Sequence, residues 1–414
     1  MSKKELHHDP QNGMTRREML KLTALAGGGL AFGASGVGAA YEMLSGSKEG
    51  KAAAAVVPFY GAHQSGIVTP HQSYGYLAAF DIDGSVGNDV SKVMALFIRW
   101  SQLTETLTAG KREANSRNPD LPPNDTNEAR ELGPVNLTIT FGLGYSFFLR
   151  NGNDRFGLAK RLPKQLTPMP KLAHETLDPA ISNGDICVQV CADVQQVAFH
   201  ALRNLTKEAV GTANLRWMES GFLSKPKKGT PRNLFGFKDG TANIEPSDVK
   251  AQKRVIWTGD NEPRWMRGGT YLGYRKIRMN IETWDRDSFR DQENVFGRKK
   301  DTGAPFGRMH EKESIRMDKL PTDSHVYLNH KTGKEIFRRP FSYTNGIDPA
   351  TGHLNAGLLF IAFQNKPQDS FIHMLRILGR YDALNEYIDH IATGLFAIAG
   401  GIRKGEYVCQ HLFE

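Results

Sequence analysis

Tyr74-Gly-Tyr-Leu-Ala-Ala-Phe-Asp-Ile82 reads as a β-strand, and the order of elements after it decides the fold class. From Asp89 to Leu107, apolar residues recur at Val90, Val93, Met94, Phe97, Leu103 and Leu107. That is one face of a helix behind an acidic N-terminal residue. Asn136 to Phe148 and Ile186 to Ala192 are rich in β-branched and aromatic residues, and Asp193 to Val210 is again amphipathic at helical period. The pattern fits a β-α-β-β-α-β unit of ferredoxin-like type. A second half restarts at Gly268, with a long strand over Thr270 to Trp284 and a short helix over Ser288 to Phe296. A strand over Gly357 to Gln364, a helical stretch over Asp369 to Ile388 and a last strand over Leu395 to Ala399 complete it. The expected architecture is α+β, in two similar units with antiparallel sheets. The charged, Gly/Pro-containing stretch Ser224 to Asn233 is the expected seam, dividing an N-terminal domain at 57–223 from a C-terminal one at 224–414.

The chain has 414 residues, 39% hydrophobic and 23% charged, with 42 Gly and 20 Pro. This composition excludes a disordered, collagen-like or coiled-coil protein. No apolar run approaches the roughly 20 residues of a membrane-spanning helix. Three cysteines do not make a disulfide framework. The net charge of +9 favours anionic surfaces or ligands. Its short clusters, such as Lys225-Pro-Lys-Lys228 and Arg298-Lys-Lys300, lack the interleaved aromatics of a nucleic-acid surface, so no nucleic-acid partner is expected.

Residues 1–56 read as an address and a linker. Thr15-Arg-Arg-Glu-Met-Leu-Lys21 precedes a mildly apolar, Ala/Gly-rich stretch from Leu22 to Ala40. An arginine pair, a modest apolar region and small residues resemble a bacterial twin-arginine signal. That route exports folded proteins, so the expected location is extracytoplasmic, with the twin-arginine translocase as a partner.

Cys187 and Cys191 lie four apart on a strand, about 13 Å along it, and read as buried small side chains. Gly142-Leu-Gly144 lacks the rest of a dinucleotide fingerprint. Two segments carry chemistry-bearing residues. The first is Asn233-Leu-Phe-Gly-Phe-Lys-Asp-Gly-Thr-Ala-Asn243, where glycine permits close approach to a flat ligand. The second is Asp323-Ser-His-Val-Tyr-Leu-Asn-His330, followed by Glu335-Ile-Phe-Arg-Arg-Pro-Phe-Ser-Tyr343. Taken singly, Asp239 reads as a turn aspartate, His325 and His330 as solvent-facing loop residues, and Arg338-Arg339 as a salt-bridged pair. Trp265 and Trp284 read as core residues that could also relay electrons.

Together these segments resemble the dye-decolourising (DyP-type) haem peroxidases. Gly236-Phe-Lys-Asp-Gly240 is similar to that family's Gly-x-x-Asp-Gly signature, and Asp-Ser-His325 with Arg338-Arg339-x-x-Ser-Tyr to its histidine and arginine region. Phe59-Tyr-Gly-Ala-His-Gln-Ser-Gly-Ile67, Gly184 to Asp193 and Gly357 to Gln364 extend the likeness over residues 57–414. With the leader, it is similar to the EfeB-like deferrochelatase/peroxidase branch of ferrous-iron uptake operons. The resemblance implies two ferredoxin-like domains in the family's α+β barrel arrangement and one haem b per chain, held by the second domain. It implies His325 as axial iron ligand, with Asp239 and Arg338 on the peroxide side. Gly240, Thr241 and Ala242 then line the haem, His330, Lys331 and Thr332 lie near the porphyrin edge, and Glu386 takes the ligand's second ring proton. Tyr327 stands where many relatives have arginine.

Those residue types suit the chemistry. A carboxylate can act as general base and then acid on peroxide, and a permanently charged guanidinium stabilises negative charge on the departing oxygen. A carboxylate behind a ligating imidazole raises its basicity. The expected function is a haem peroxidase using hydrogen peroxide and a bulky electron donor, exported and linked to iron uptake. Release of iron from haem with the porphyrin intact, or non-catalytic haem carriage, are the alternatives. Iron-uptake membrane partners and a homodimer also remain open.

Overall fold

The computed structural model describes residues 55–115 and 117–414. The arginine pair and the rest of the leader lie outside them. The first half contains β1 (Tyr74–Ile82), helix α1 (Val90–Thr108), β2 (Thr138–Gly144), β3 (Ile186–Ala192), helix α2 (Gln195–Ala209) and β4 (Ala213–Phe222). The strands lie side by side in the order β2-β3-β1-β4, all antiparallel. Asp89 caps α1 by accepting the Ser91 N–H at 3.0 Å.

The second half repeats the plan. It contains β5 (Thr270–Met279), helix α3 (Phe289–Phe296), helix α4 (His325–Lys331), the two-residue β6 (Phe337–Arg338), β7 (Phe341–Ile347), β8 (Leu354–Gln364), helix α5 (Phe371–Tyr381) and β9 (Ile388–Ile398). Its main strands run β9-β5-β8-β7, again antiparallel. Each half is therefore a ferredoxin-like unit, and the stretch Ser224 to Asn233 lies in the connection between β4 and β5.

The two sheets join edge to edge. β2 pairs with β9 through Gly142–Gly144 and Phe396–Ile398, and β4 meets β7 at Phe222 and Ser342. With β5 bonded to both β8 and β9, the strands close into a barrel, and β6 is an extra short partner of β8. Closure removes the sheet edges that would otherwise expose unpaired backbone. Alternate residues from both halves fill the interior, among them Leu77, Cys187, Leu272, Tyr274, Leu359, Ile361 and Phe396. The opposite faces pack on the helices, as Phe80, Val188 and Val190 do with Phe97, Trp100 and Leu205.

Several boundaries differ from the sequence expectation. The strand from Thr270 stops at Met279, and Ile281–Trp284 forms one helical turn. Helix α5 ends at Tyr381, and the last strand begins at Ile388 rather than Leu395. His325 and His330 lie on a helix, not a loop. Cys187, Cys191 and Cys409 are buried and unpaired, and burial pushes the Cys187 thiol upward. No described helix is long and apolar enough to cross a membrane.

Candidate active site

His325 opens α4 directly after Ser324, whose hydroxyl donates to Pro321 O at 2.7 Å rather than capping the helix. The ring Nδ1 lies 2.6 Å from Oδ2 of Asp382. A carboxylate only accepts, so the proton of this bond sits on Nδ1, and the nitrogen left for another partner is Nε2. Asn329, one turn on, places its amide Nδ2 3.1 Å from Nε2 and also donates to His325 O at 2.8 Å. The ring is thus oriented from behind and offers one nitrogen, as a metal-ligating imidazole does.

Asp382, not Glu386, makes the hydrogen bond to the imidazole. Asp382 ends α5 and caps the 3₁₀ turn Ala383–Glu386, where its other oxygen accepts the Leu384 N–H at 2.9 Å. Those two bonds fix a buried carboxylate against α4. Glu386, a turn later, lines a separate surface cavity of about 300 Å³ with Asp287, Asp291, Asp323 and Tyr387.

Beside His325 lies an aromatic wall. The Phe296 ring meets the imidazole edge-on at 6.1 Å and stacks on Phe237 at 4.0 Å. Trp284, fully buried, packs on Phe235, Phe296 and Tyr387. Phe237 belongs to the Asn233–Asn243 loop, so the apolar wall and the acidic loop are one construction.

That loop turns on the Asn233 carboxamide, whose Oδ1 accepts from Phe235 N and Phe237 N. Gly236 at φ +83° and Gly240 at φ +118° supply backbone angles that side-chain-bearing residues avoid. Asp239, between them, donates its N–H to Pro231 O at 2.8 Å and accepts from Arg338 Nη1 at 3.2 Å. Both side chains of this pair remain partly open, at 17% and 24% exposed.

Glu311 was not legible as a site residue, and it braces the loop. Its carboxylate accepts from Thr230, from Lys238 and, at 2.8 Å, from Thr241. Burial opposes its charge, but these three donors hold its carboxyl below the usual range. Both neighbours of the Asp239-Gly240 pair are therefore tied to one anion.

The two arginines serve different ends. Arg338 faces Asp239, whereas Arg339 is buried and donates to Thr69 O at 2.6 Å and to the Gln72 side chain. They are not a pair in one salt bridge. Thr241 and Ala242 follow Asp239 on the loop as expected. Five positions along α4, His330 is turned about 140° from His325. His330 and Lys331 are exposed, and Thr332 bonds Asn329 O at 2.7 Å. Trp265 and Trp284 are both buried.

The donor set fits a haem: one imidazole nitrogen, a flat aromatic wall, a glycine-bearing loop and a charged pair able to act on a small polar molecule. Residues 64–223 match the family model described as Dyp-type peroxidase, N-terminal, and residues 230–403 that of the C-terminal part. The chain is 37% identical over 365 residues to the deferrochelatase of Escherichia coli K12, covering 84% of each. It is similar to a DyP-type peroxidase from Streptomyces coelicolor, with 39% identity, a TM-score of 0.80, and 87% and 98% of the two chains covered. It is also similar to ferric DtpA from Streptomyces lividans, with 39% identity, a TM-score of 0.79 and coverage of 87% and 97%.

Proposed function

The chain belongs to the Dyp-type peroxidase family, an oxidoreductase enzyme family, and from that premise we propose that it is a haem b peroxidase, one haem per chain, with His325 as axial ligand. The observation that carries this is the His325–Asp382 bond, which leaves Nε2, met by the Asn329 amide, as the ring nitrogen able to bind iron beside the wall shared with Asp239 and Arg338. Haem bound there would supply the iron at which peroxide is reduced and by which a donor is oxidised. Gly240, Thr241 and Ala242 would line it, and the family likeness would put His330, Lys331 and Thr332 near its edge.

The chain's own residues manage protons and charge. Asp382 holds the Nδ1 proton and makes His325 a stronger donor. Asp239 takes a proton from one peroxide oxygen and returns it to the other, a role worth about 10²–10⁴-fold in rate. Arg338 donates to Asp239 and stabilises the oxygen that leaves with negative charge. The aromatic wall excludes water on its side of the site. Hydrogen peroxide and a bulky electron donor are the substrates.

The similarity to deferrochelatases favours a second reading, release of iron from haem with the porphyrin intact. A haem carrier is disfavoured, because it has no use for Asp239 and Arg338 together. The leader supports twin-arginine export to an extracytoplasmic site, with iron-uptake membrane proteins as partners. Changing Arg16-Arg17 to Lys-Lys then retains the precursor in the cytoplasm, and efficient export of that variant refutes the route. The functional test is the absorption spectrum of the purified protein with haem, before and after peroxide, with a dye as donor. A haem band that responds to peroxide and supports dye oxidation is expected. Metal-free porphyrin appearing without peroxide indicates iron release instead.

A further inference from the structure

Asn243 closes the loop that carries Asp239, and its side chain meets the backbone of Arg338 twice. Arg338 N–H donates to Asn243 Oδ1 at 2.9 Å, and Asn243 Nδ2 donates to Arg338 O at 2.8 Å. A carboxamide is the side chain that both accepts and donates in one plane, so it copies the two-point bond of an antiparallel strand. The strand it serves needs this. β6 is two residues long, and only its other edge is backed by β8, where Arg339 N–H donates to Ile361 O at 2.8 Å.

Arg338 is therefore gripped at both ends by one loop, at its guanidinium by Asp239 and at its backbone by Asn243. The loop is itself anchored through Lys238 and Thr241 on Glu311. We propose that Asn243 is a positioning residue for the peroxide-side pair, setting the place of Arg338 relative to Asp239. This rests on the functional reading above. An arginine has four rotatable side-chain bonds, so its head is placed only as well as its backbone. Misplacement by about 1 Å at a reacting centre costs on the order of 10²-fold in rate.

Asn243→Ala removes both bonds, while Asn243→Asp keeps the acceptor and sets a carboxylate against Arg338 O. The test uses the haem-loaded protein for three readings: haem affinity by titration, affinity for fluoride as a small anionic probe, and the rate of reaction with peroxide. Exchange of the Arg338 amide proton is read in the haem-free protein. Each variant is expected to bind haem within about twofold of wild type. Peroxide reaction is expected to slow about 10–100-fold, scaled from that misplacement cost, and fluoride affinity to fall with it. Amide exchange at Arg338 is expected to accelerate in Asn243→Ala. Unchanged peroxide rate and fluoride affinity overturn the proposal, and so does a loss of haem affinity in proportion to rate, which marks a merely structural residue. If Asn243→Ala does not fold, Asn243→Asp decides by the same readings. A wild-type protein that takes up no haem removes the functional reading itself, and this role with it.

Discussion

Asp382 Oδ2 and His325 Nδ1 are 2.6 Å apart, and this contact joins the end of α5 to the start of α4. On the proposed reading of His325 as ligand, Asp382 is the residue that tunes it. Asp382→Asn removes the charge behind the imidazole while nearly keeping its shape. Loss of such a supporting partner costs about 10–100-fold in metal affinity or activity, and the midpoint potential of bound haem is expected to rise because ferric iron loses stabilisation. Glu386→Gln is expected to leave both at wild-type values. A spectroelectrochemical titration of the two variants checks this. An unchanged Asp382→Asn beside a shifted Glu386→Gln contradicts the assignment.

Removing the imidazole separates the two histidines of α4. His325→Ala is expected to abolish the normal ferric spectrum and lower haem occupancy, while His330→Ala retains both. Haem titration followed by absorbance provides the measurement. An unaltered spectrum in His325→Ala excludes it as the ligand.

Glu311 is expected to matter for the loop more than for the fold. Glu311→Ala strips the shared acceptor from Thr230, Lys238 and Thr241. Unpaired donors of this kind cost about 1–3 kcal/mol, so thermal unfolding of the variant should begin lower, accompanied by slower peroxide reaction. Glu311→Gln, which still accepts hydrogen bonds, should fall between. Equal melting of all three proteins counts against the brace.

Acid should weaken the fold. His390 is buried and His71 half-buried, and loss of hydration pushes both down to about 3, with Arg275 and Arg339 respectively adding repulsion. Their unfolded-state value is near 6.5, so between roughly pH 6 and 3 the unfolded chain binds two protons that the native state refuses. Stability then falls with pH by about 1.4 kcal/mol per unit for each histidine. Glu311, held low in the native state, acts in the same direction. Melting temperatures measured across pH 3–8 should therefore fall as the pH drops below about 6. A melting temperature constant down to pH 4 contradicts the burial argument.

The plan of the barrel was legible because strands buried on both faces are apolar at nearly every position, as Tyr74–Ile82 and Ile186–Ala192 are. β4 was not, since Asn214, Leu215 and Arg216 are exposed and break any apolar signal. β9 was read late for a related reason. Its first residues include Asp389 and His390, and His390 is buried in the sheet, where Arg275 Nε donates to it at 3.1 Å. The helix at His325 carries few local signals. Seven residues are too few to be stable alone, and its packing on α5 supplies what local preference does not. Asp382 and Glu386 differ by four positions, and only the 3₁₀ turn after α5 decides which carboxylate folds back. Asn243 and Glu311 act through contacts across 95 and 70–81 residues of chain, where sequence spacing carries no signal.

The central claim is that Asp239 and Arg338 perform chemistry on peroxide at a haem held by His325. Stopped-flow absorbance of the haem-loaded wild type, Asp239→Asn and Arg338→Leu, mixed with hydrogen peroxide, tests it most directly. The expected result is full haem binding in all three, with the peroxide-driven spectral change slowed by about 10²–10⁴-fold in one or both variants. Wild-type rates in both variants contradict the claim and leave haem carriage as the better description of the site.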